Sequence, residues 1–195
     1  MTEEEWIKRA AQGDQDAFAQ LLELHQGKVY GLTLRLTGSP EDAAELTQET
    51  FFNAWRGLPN FHGESKFSTW LYRLATNAAI DFLRREKRRR GMTLTPLSGE
   101  DDHRAPDIPD RGLSPQDELE RRELRQAIER GLEKLSDEHR QVLVLREFNG
   151  LSYGEIAQIL GIEEGTVKSR IARARLALRK ILLADGNFSA WVPST

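Results

Sequence analysis

Three stretches of this chain carry residue types whose spacing could do chemistry. Between Thr166 and Lys180 six cations (Lys168, Arg170, Arg173, Arg175, Arg179, Lys180) occur with no carboxylate among them. A solvated helix face normally interleaves acids four residues away, so this density suits a polyanion. Between Phe61 and Arg90 the aromatics Phe61, Phe67, Trp70 and Tyr72 gather at one end, and Lys66, Arg73, Arg84, Arg85, Lys87, Arg88, Arg89 and Arg90 follow. Cations beside rings suit unstacked bases, because phosphate takes the charge and the base takes the ring face. The third stretch, Gly150-Leu151-Ser152-Tyr153-Gly154, spells the G-x-S-x-G of a nucleophile elbow. Its serine would need an acid and then a histidine downstream, yet His25, His62, His103 and His139 all precede Ser152. Ser152 reads instead as a helix N-cap, with Glu155 completing a capping box.

Other chemistries drop out. The chain has no cysteine, which removes disulfides, thiolate metal sites and cysteine nucleophiles together. No phosphate-binding glycine loop or H-E-x-x-H motif occurs, and the four histidines are scattered, so neither a metal nor a cofactor nor a small-molecule substrate is expected, and no catalytic residue. The net charge of −3 conceals a segregation. Residues 1–65 hold 5 cations and 11 carboxylates, 66–90 hold 8 and 2, 91–120 hold 2 and 8, and 121–195 hold 13 and 10. Two basic surfaces are set against acidic ones left for a different partner.

The elements that position these residues read as helices. Alternation is absent, and the β-branched run Val142-Leu143-Val144-Leu145 sits among polar residues. Thr2 with Glu5 forms another capping box, and Ser39-Pro40 and Ser114-Pro115 place a cap before proline. Gly38, Gly57, Gly91, Gly150 and Gly161 supply the stops. The spacing predicts an all-α protein with helices near 3–12, 15–36, 40–56, 66–90, 115–133, 137–148, 153–160 and 163–183. Between 91 and 113 prolines and glycines replace apolar periodicity, which predicts a flexible linker spanning about 26 Å as a coil. Domains of 1–90 and 114–183 follow, with a tail at 184–195. The second domain ends in a helix-turn-helix: Ile156, Ala157 and Leu160 pack in its first helix, Gly161 turns, and Val167, Ile171, Ala174, Leu178 and Ile181 form the packing stripe of the second. Thr166, Lys168, Ser169 and Arg173 then become base-edge candidates, with Arg170 and Arg175 as phosphate or supporting contacts. The acidic start Met-Thr-Glu-Glu-Glu-Trp is no signal peptide and no apolar run is long enough to span a bilayer, so a cytoplasmic protein without membrane insertion is expected.

Three segments together, Asp42 to Trp55 (DAAELTQETFFNAW), Phe61 to Arg85 (FHGESKFSTWLYRLATNAAIDFLRR) and Leu151 to Arg175 (LSYGEIAQILGIEEGTVKSRIARAR), resemble the extracytoplasmic-function (ECF) sigma factors of bacterial RNA polymerase. The likeness spans about residues 5–183. It implies a first domain that binds core polymerase and opens the −10 element, and a second that reads the −35 element. Glu45, Gln48 and Glu49 would contact the clamp helices of the largest polymerase subunit. Phe61, Ser65, Lys66, Phe67, Asn77 and Ala78 would capture a flipped −10 base, with Arg84 and Arg85 on the same basic helix. Lys168, Ser169 and Arg173 would read −35 bases. Ala172 stands where some members carry a larger residue, and His62 where arginine is frequent. The resemblance also implies promoter DNA and an anti-sigma factor as partners. The rival reading is a one-component helix-turn-helix regulator that never binds core polymerase, and it accounts for the second domain alone.

Overall fold

The structure is a computed structural model that describes residues 1–92 and 115–184. These residues fold into helices joined by short turns, with no strand among them, and the chain divides into two compact units, Met1–His103 and Arg104–Thr195. Most of the expected linker and the tail from Asp185 onward, with Phe188 and Trp191, lie outside the described residues.

The first unit comprises α1 (Glu3–Ala11), α2 (Gln15–Thr37), α3 (Pro40–Gly57) and α4 (Phe67–Met92). The caps expected at Thr2 and Ser39 form, and Ser114 lies outside the described residues. The Thr2 hydroxyl accepts from the Glu5 amide at 3.3 Å and the Thr2 amide donates to the Glu5 carboxylate at 2.8 Å. Asp14 caps α2 by accepting from the Ala17 amide at 3.0 Å, and Ser39 caps α3 with Pro40 in its first turn. Gly38 ends α2 at φ +76, a left-handed position open to glycine at little cost. Leu21, Val29, Leu32 and Leu36 of α2, Leu46 and Phe51 of α3 and Leu71 and Ala75 of α4 are buried, and α2 packs against both α3 and α4. One buried hydroxyl joins α2 to α3: Thr33 lies within hydrogen-bond distance of the carbonyls of Val29 and Tyr30 on its own helix and of Ala43 on α3, and it meets the Thr47 hydroxyl at 3.1 Å. Two features differ from the sequence expectation. A single 3-10 turn, Leu58–Asn60, follows α3, and α4 runs on to Met92, into the first two residues of the expected linker.

The second unit comprises α5 (Pro115–Glu133), α6 (Asp137–Leu143), α7 (Tyr153–Leu160) and α8 (Glu164–Ala184). The run Val142–Leu145 is helical, and all four side chains are buried. Four consecutive helical residues point around most of the axis, so a segment apolar at all four must lie inside the unit. At Val144–Phe148 the helix widens into a π turn, closed by the Asn149 amide on the Val144 carbonyl at 3.2 Å. Arg140 fastens the end of α5 by donating to the carbonyls of Leu132 and Glu133 at 2.9 and 2.7 Å. Burial pushes its guanidinium below the usual arginine range, against the pull of Asp137 and Glu133. Ser152 and Glu155 form the expected capping box, and Gly161 turns at φ +65. Packing differs in detail. In α7 Ile156 and Ile159 are the buried pair, with Ala157 and Leu160 half-exposed, and in α8 Leu182 is buried while Leu178 and Ile181 are half-exposed. Gly131 of α5 lies against this end of the stripe. A Cβ there would lie 2.7 Å from Leu178 and 3.3 Å from Leu182, so the bare backbone lets α5 close over both leucines.

Candidate nucleic-acid and polymerase interfaces

On α3, Ala43, Leu46, Thr50, Phe51 and Ala54 face the core, which leaves Glu45, Gln48 and Glu49 exposed on the opposite side. Neither glutamate forms an ion pair among the described residues. The expected acidic face exists, and it presents uncompensated charge.

The 61–85 stretch forms an aromatic cluster at the head of a basic helix. Phe61 in the loop lies 5.0 Å from Trp70 and 5.8 Å from Phe67, ring centre to ring centre, and Phe67 lies 5.7 Å from Trp70 and 5.3 Å from the His25 ring. The sequence placed both Phe61 and Phe67 at a base. Phe67 is only 4% exposed, since it starts the core stripe of α4, and it meets Phe61 edge-on with the ring planes at 80°. Phe61 and Trp70 are half-buried and present ring surface. Gly57 gives Trp70 its room, because a Cβ there would sit 3.2 Å from the indole. Ser65 is half-buried, its hydroxyl donating to the Lys66 carbonyl at 3.3 Å, and Lys66 is exposed. Behind them Asn77 is exposed and Ala78 half-buried. Arg73, Asn77, Arg84 and Arg88 recur at four- and seven-residue steps, within roughly 60° of one another around the helix, and all are exposed. Arg84 meets Asp81 at 3.6 Å. Among the described residues Arg73, Arg85, Lys87 and Arg88 make no ion pair. Arg73 belongs to this stripe, although only its spacing from Asn77 and Arg84 signals it.

On α8 the candidates separate into two groups. Lys168, Ser169 and Arg173 are exposed and Thr166 is half-exposed. The Ser169 hydroxyl donates to the Thr166 carbonyl at 3.0 Å, and Arg173 donates from Nε to the Ser169 carbonyl at 3.2 Å and from Nη2 to its hydroxyl at 3.1 Å. Arg173 is thus held along the outer face by the neighbouring turn. Arg170 and Arg175 instead reach α6 and the π turn that follows it. Arg170 lies 3.4 Å from Glu138, and Arg175 donates from Nε and Nη2 to Glu147 at 3.1 and 2.6 Å. Those bonds and the charge of Glu147 raise the Arg175 guanidinium further above its ordinary range. Of their two expected roles, support is the one visible here. Lys168 also has an acid, Glu164, at 3.0 Å, four residues back and just outside the acid-free window.

A further cluster was not singled out by the sequence reading. The Tyr153 ring, at the start of α7, has the Arg146 guanidinium 4.8 Å and the Lys168 ammonium 5.7 Å from its centre. Arg146 is steadied by donating to the Leu151 carbonyl at 2.7 Å. No local motif marks Arg146, because it reaches Tyr153 through the π turn and the loop beyond it. The two cations extend the positive surface from α8 to the N-terminus of α7, where backbone amides also favour anions.

Comparison with known proteins covers both units. Residues 21–89 match the family model for Sigma-70 region 2, and residues 125–178 match that for Sigma-70, region 4. The ECF RNA polymerase sigma factor SigW of Bacillus subtilis is 40% identical over 176 residues, covering 90% of this chain and 94% of that protein. The RNA polymerase sigma-H factor of Pseudomonas aeruginosa is 38% identical over 184 residues, 92% and 93% of the two chains. Among solved structures, the sigma factor RpoE of Bartonella quintana, in complex with the anti-sigma factor NepR, aligns with a TM-score of 0.68 at 25% identity, covering 86% of this chain and 98% of that one. No helix among the described residues is long and apolar enough to cross a membrane.

Proposed function

The chain belongs to the extracytoplasmic-function sigma factors of bacterial RNA polymerase, and from that premise we propose how its surfaces divide the work of initiation. The outer face of α3, through Glu45, Gln48 and Glu49, seats on core polymerase. Phe61, flanked by Ser65 and Lys66 and backed by Asn77 and Ala78, receives a −10 base turned out of the duplex, with Phe67 as its buried floor. Arg84 and Arg85 hold the adjoining phosphates. Thr166, Lys168, Ser169 and Arg173 face the −35 element, while Arg170 and Arg175 brace the helix that carries them. Residues 1–90 and 114–183 are the two functional domains, and 91–113 sets their reach.

What supports this division above all is the separation of exposed charge. Unpaired carboxylates lie on α3, unpaired cations on α4, and exposed cations on α8. An acidic helix is repelled by DNA and a basic one attracted, so each face has one compatible partner. A free-standing helix-turn-helix regulator would leave the first unit, matched to Sigma-70 region 2 over 21–89, without a task. The chain acts by binding, without catalytic residue or cofactor, in the cytoplasm where polymerase and promoter are. By likeness to the Bartonella quintana protein, seen with its anti-sigma factor, it is held inactive by a partner protein. Having no cysteine, it leaves any thiol-based sensing to that partner.

The test of the polymerase assignment is competition for core. Glu45→Lys with Glu49→Lys should weaken core binding while leaving helix content unchanged, and a double variant that competes as well as the unmodified chain would overturn it.

A further inference from the structure

Phe52 stands out among the exposed apolar side chains. It is 60% exposed, and among the described residues no other aromatic side chain is as open to solvent. Isolated exposed apolar residues are common on protein surfaces and by themselves mean little. Phe52 is not isolated from the chemistry. Glu45, Gln48, Glu49, Phe52 and Arg56 recur at steps of three and four, which places all five within roughly 100° of helix surface and along about 17 Å of axis. The opposite side of α3 is committed to the core, and all five are exposed. Acids and an amide lie toward one end of this strip and a cation toward the other, with the ring between. The Arg56 guanidinium rests 5.6 Å from the ring centre. In the free chain this contact covers part of an aromatic surface that water solvates poorly.

We infer that Phe52 is the apolar anchor of the core-polymerase contact, entering a pocket on core rimmed by cations that meet Glu45 and Glu49. The inference rests on the proposed assignment of that face and goes beyond it. The carboxylates set approach and orientation, and the ring supplies the affinity. Charge complementarity selects the occupant: two unpaired carboxylates beside the ring fit a basic protein surface and repel DNA. The chemistry divides the same way, because exposed rim charges mainly tune the association rate and its salt dependence, whereas a buried aromatic anchor mainly sets the dissociation rate.

The experiment uses the full chain and sigma-free bacterial core polymerase, with association and dissociation rates measured at two salt concentrations. Phe52→Ala should raise the dissociation rate about thirtyfold, the scale of a strong interface residue, with an unchanged salt slope. Phe52→Leu should stay within about threefold of the unmodified chain, since most of the buried apolar surface is kept. Melting temperature should be unchanged in both variants, because the side chain lies outside the core. Glu45→Lys with Glu49→Lys should lower the association rate and flatten its salt dependence. If Phe52→Ala dissociates like the unmodified chain while the charge reversal weakens binding, the anchor is refuted and the face assignment stands. If neither change weakens binding, core does not seat on this face and both fail.

Discussion

Removing Arg173 should change which promoter sequence is preferred more than how tightly DNA is held. Its guanidinium is exposed and donates to Ser169 of its own helix at 3.2 and 3.1 Å. Arg173→Ala leaves no buried group unpaired, and stability should move by less than about 0.5 kcal/mol. A side chain aimed at a base edge carries about 1–3 kcal/mol of discrimination, or roughly 5- to 150-fold between right and wrong base. Arg175 is the internal contrast. It is already engaged by Glu147 at 2.6 Å, an exposed pair worth at most about 1 kcal/mol, and any phosphate contact it adds would weaken all sequences alike and lower the salt slope by about one. The assay is holoenzyme binding to promoter duplexes with single substitutions through the −35 element, at two salt concentrations. Arg173→Ala should flatten preference at one or two positions, and Arg175→Ala should weaken every promoter similarly. A uniform loss for Arg173→Ala, with the full change in salt slope, would rule out base reading by this side chain. It would mean that Arg173 holds backbone and that sequence is read by Lys168 and Ser169 or through duplex shape.

Other outcomes follow from the same geometry. Phe61→Ala should reduce open-complex formation on duplex promoters more than on pre-melted bubbles, and equal loss on both would point to a folding defect instead. Ser152→Ala removes the cap that accepts from the Glu155 amide at 3.2 Å and should destabilise α7 by about 1 kcal/mol, read as faster hydrogen exchange, with Ser152→Asp restoring protection; loss of transcription without loss of protection would contradict a capping role. Asp14 is held below the usual carboxylate range, first by the Ala17 amide and then by Arg9. Its contribution is therefore present above the unfolded carboxylate value near pH 4 and is lost as pH falls through the lower folded value. Asp14→Asn should flatten the acid limb of thermal stability, and an unchanged limb would show that other carboxylates govern it.

The helices were legible because their ends are written locally. Thr2, Ser39 and Ser152 cap where a short polar side chain precedes an apolar period, and Gly38 and Gly161 stop where a left-handed residue is required. What escaped depended on distant partners. The pairing of Arg175 with Glu147, 28 residues away, and of Arg170 with Glu138 cannot be read from the spacing along α8. The close approach of Leu178 and Leu182 to Gly131 of another helix is equally invisible along α8. Phe67 illustrates a different limit. Ring chemistry suited it to a base, while its place at the head of the α4 stripe buries it among core side chains. The π turn was hidden because four consecutive apolar residues carry no period that distinguishes one wide turn from the next.

If this chain directs core polymerase to start transcription at particular promoters, the 5′ ends of the transcripts record it. Purified chain should be added to sigma-free bacterial core polymerase on a library of promoter fragments, and transcript 5′ ends mapped. Defined start sites should appear that depend on the chain, share elements near −35 and −10, and are lost with Glu45→Lys and Glu49→Lys. Retention on DNA without added start sites, or start sites that survive the charge reversal at unchanged strength, would contradict that role.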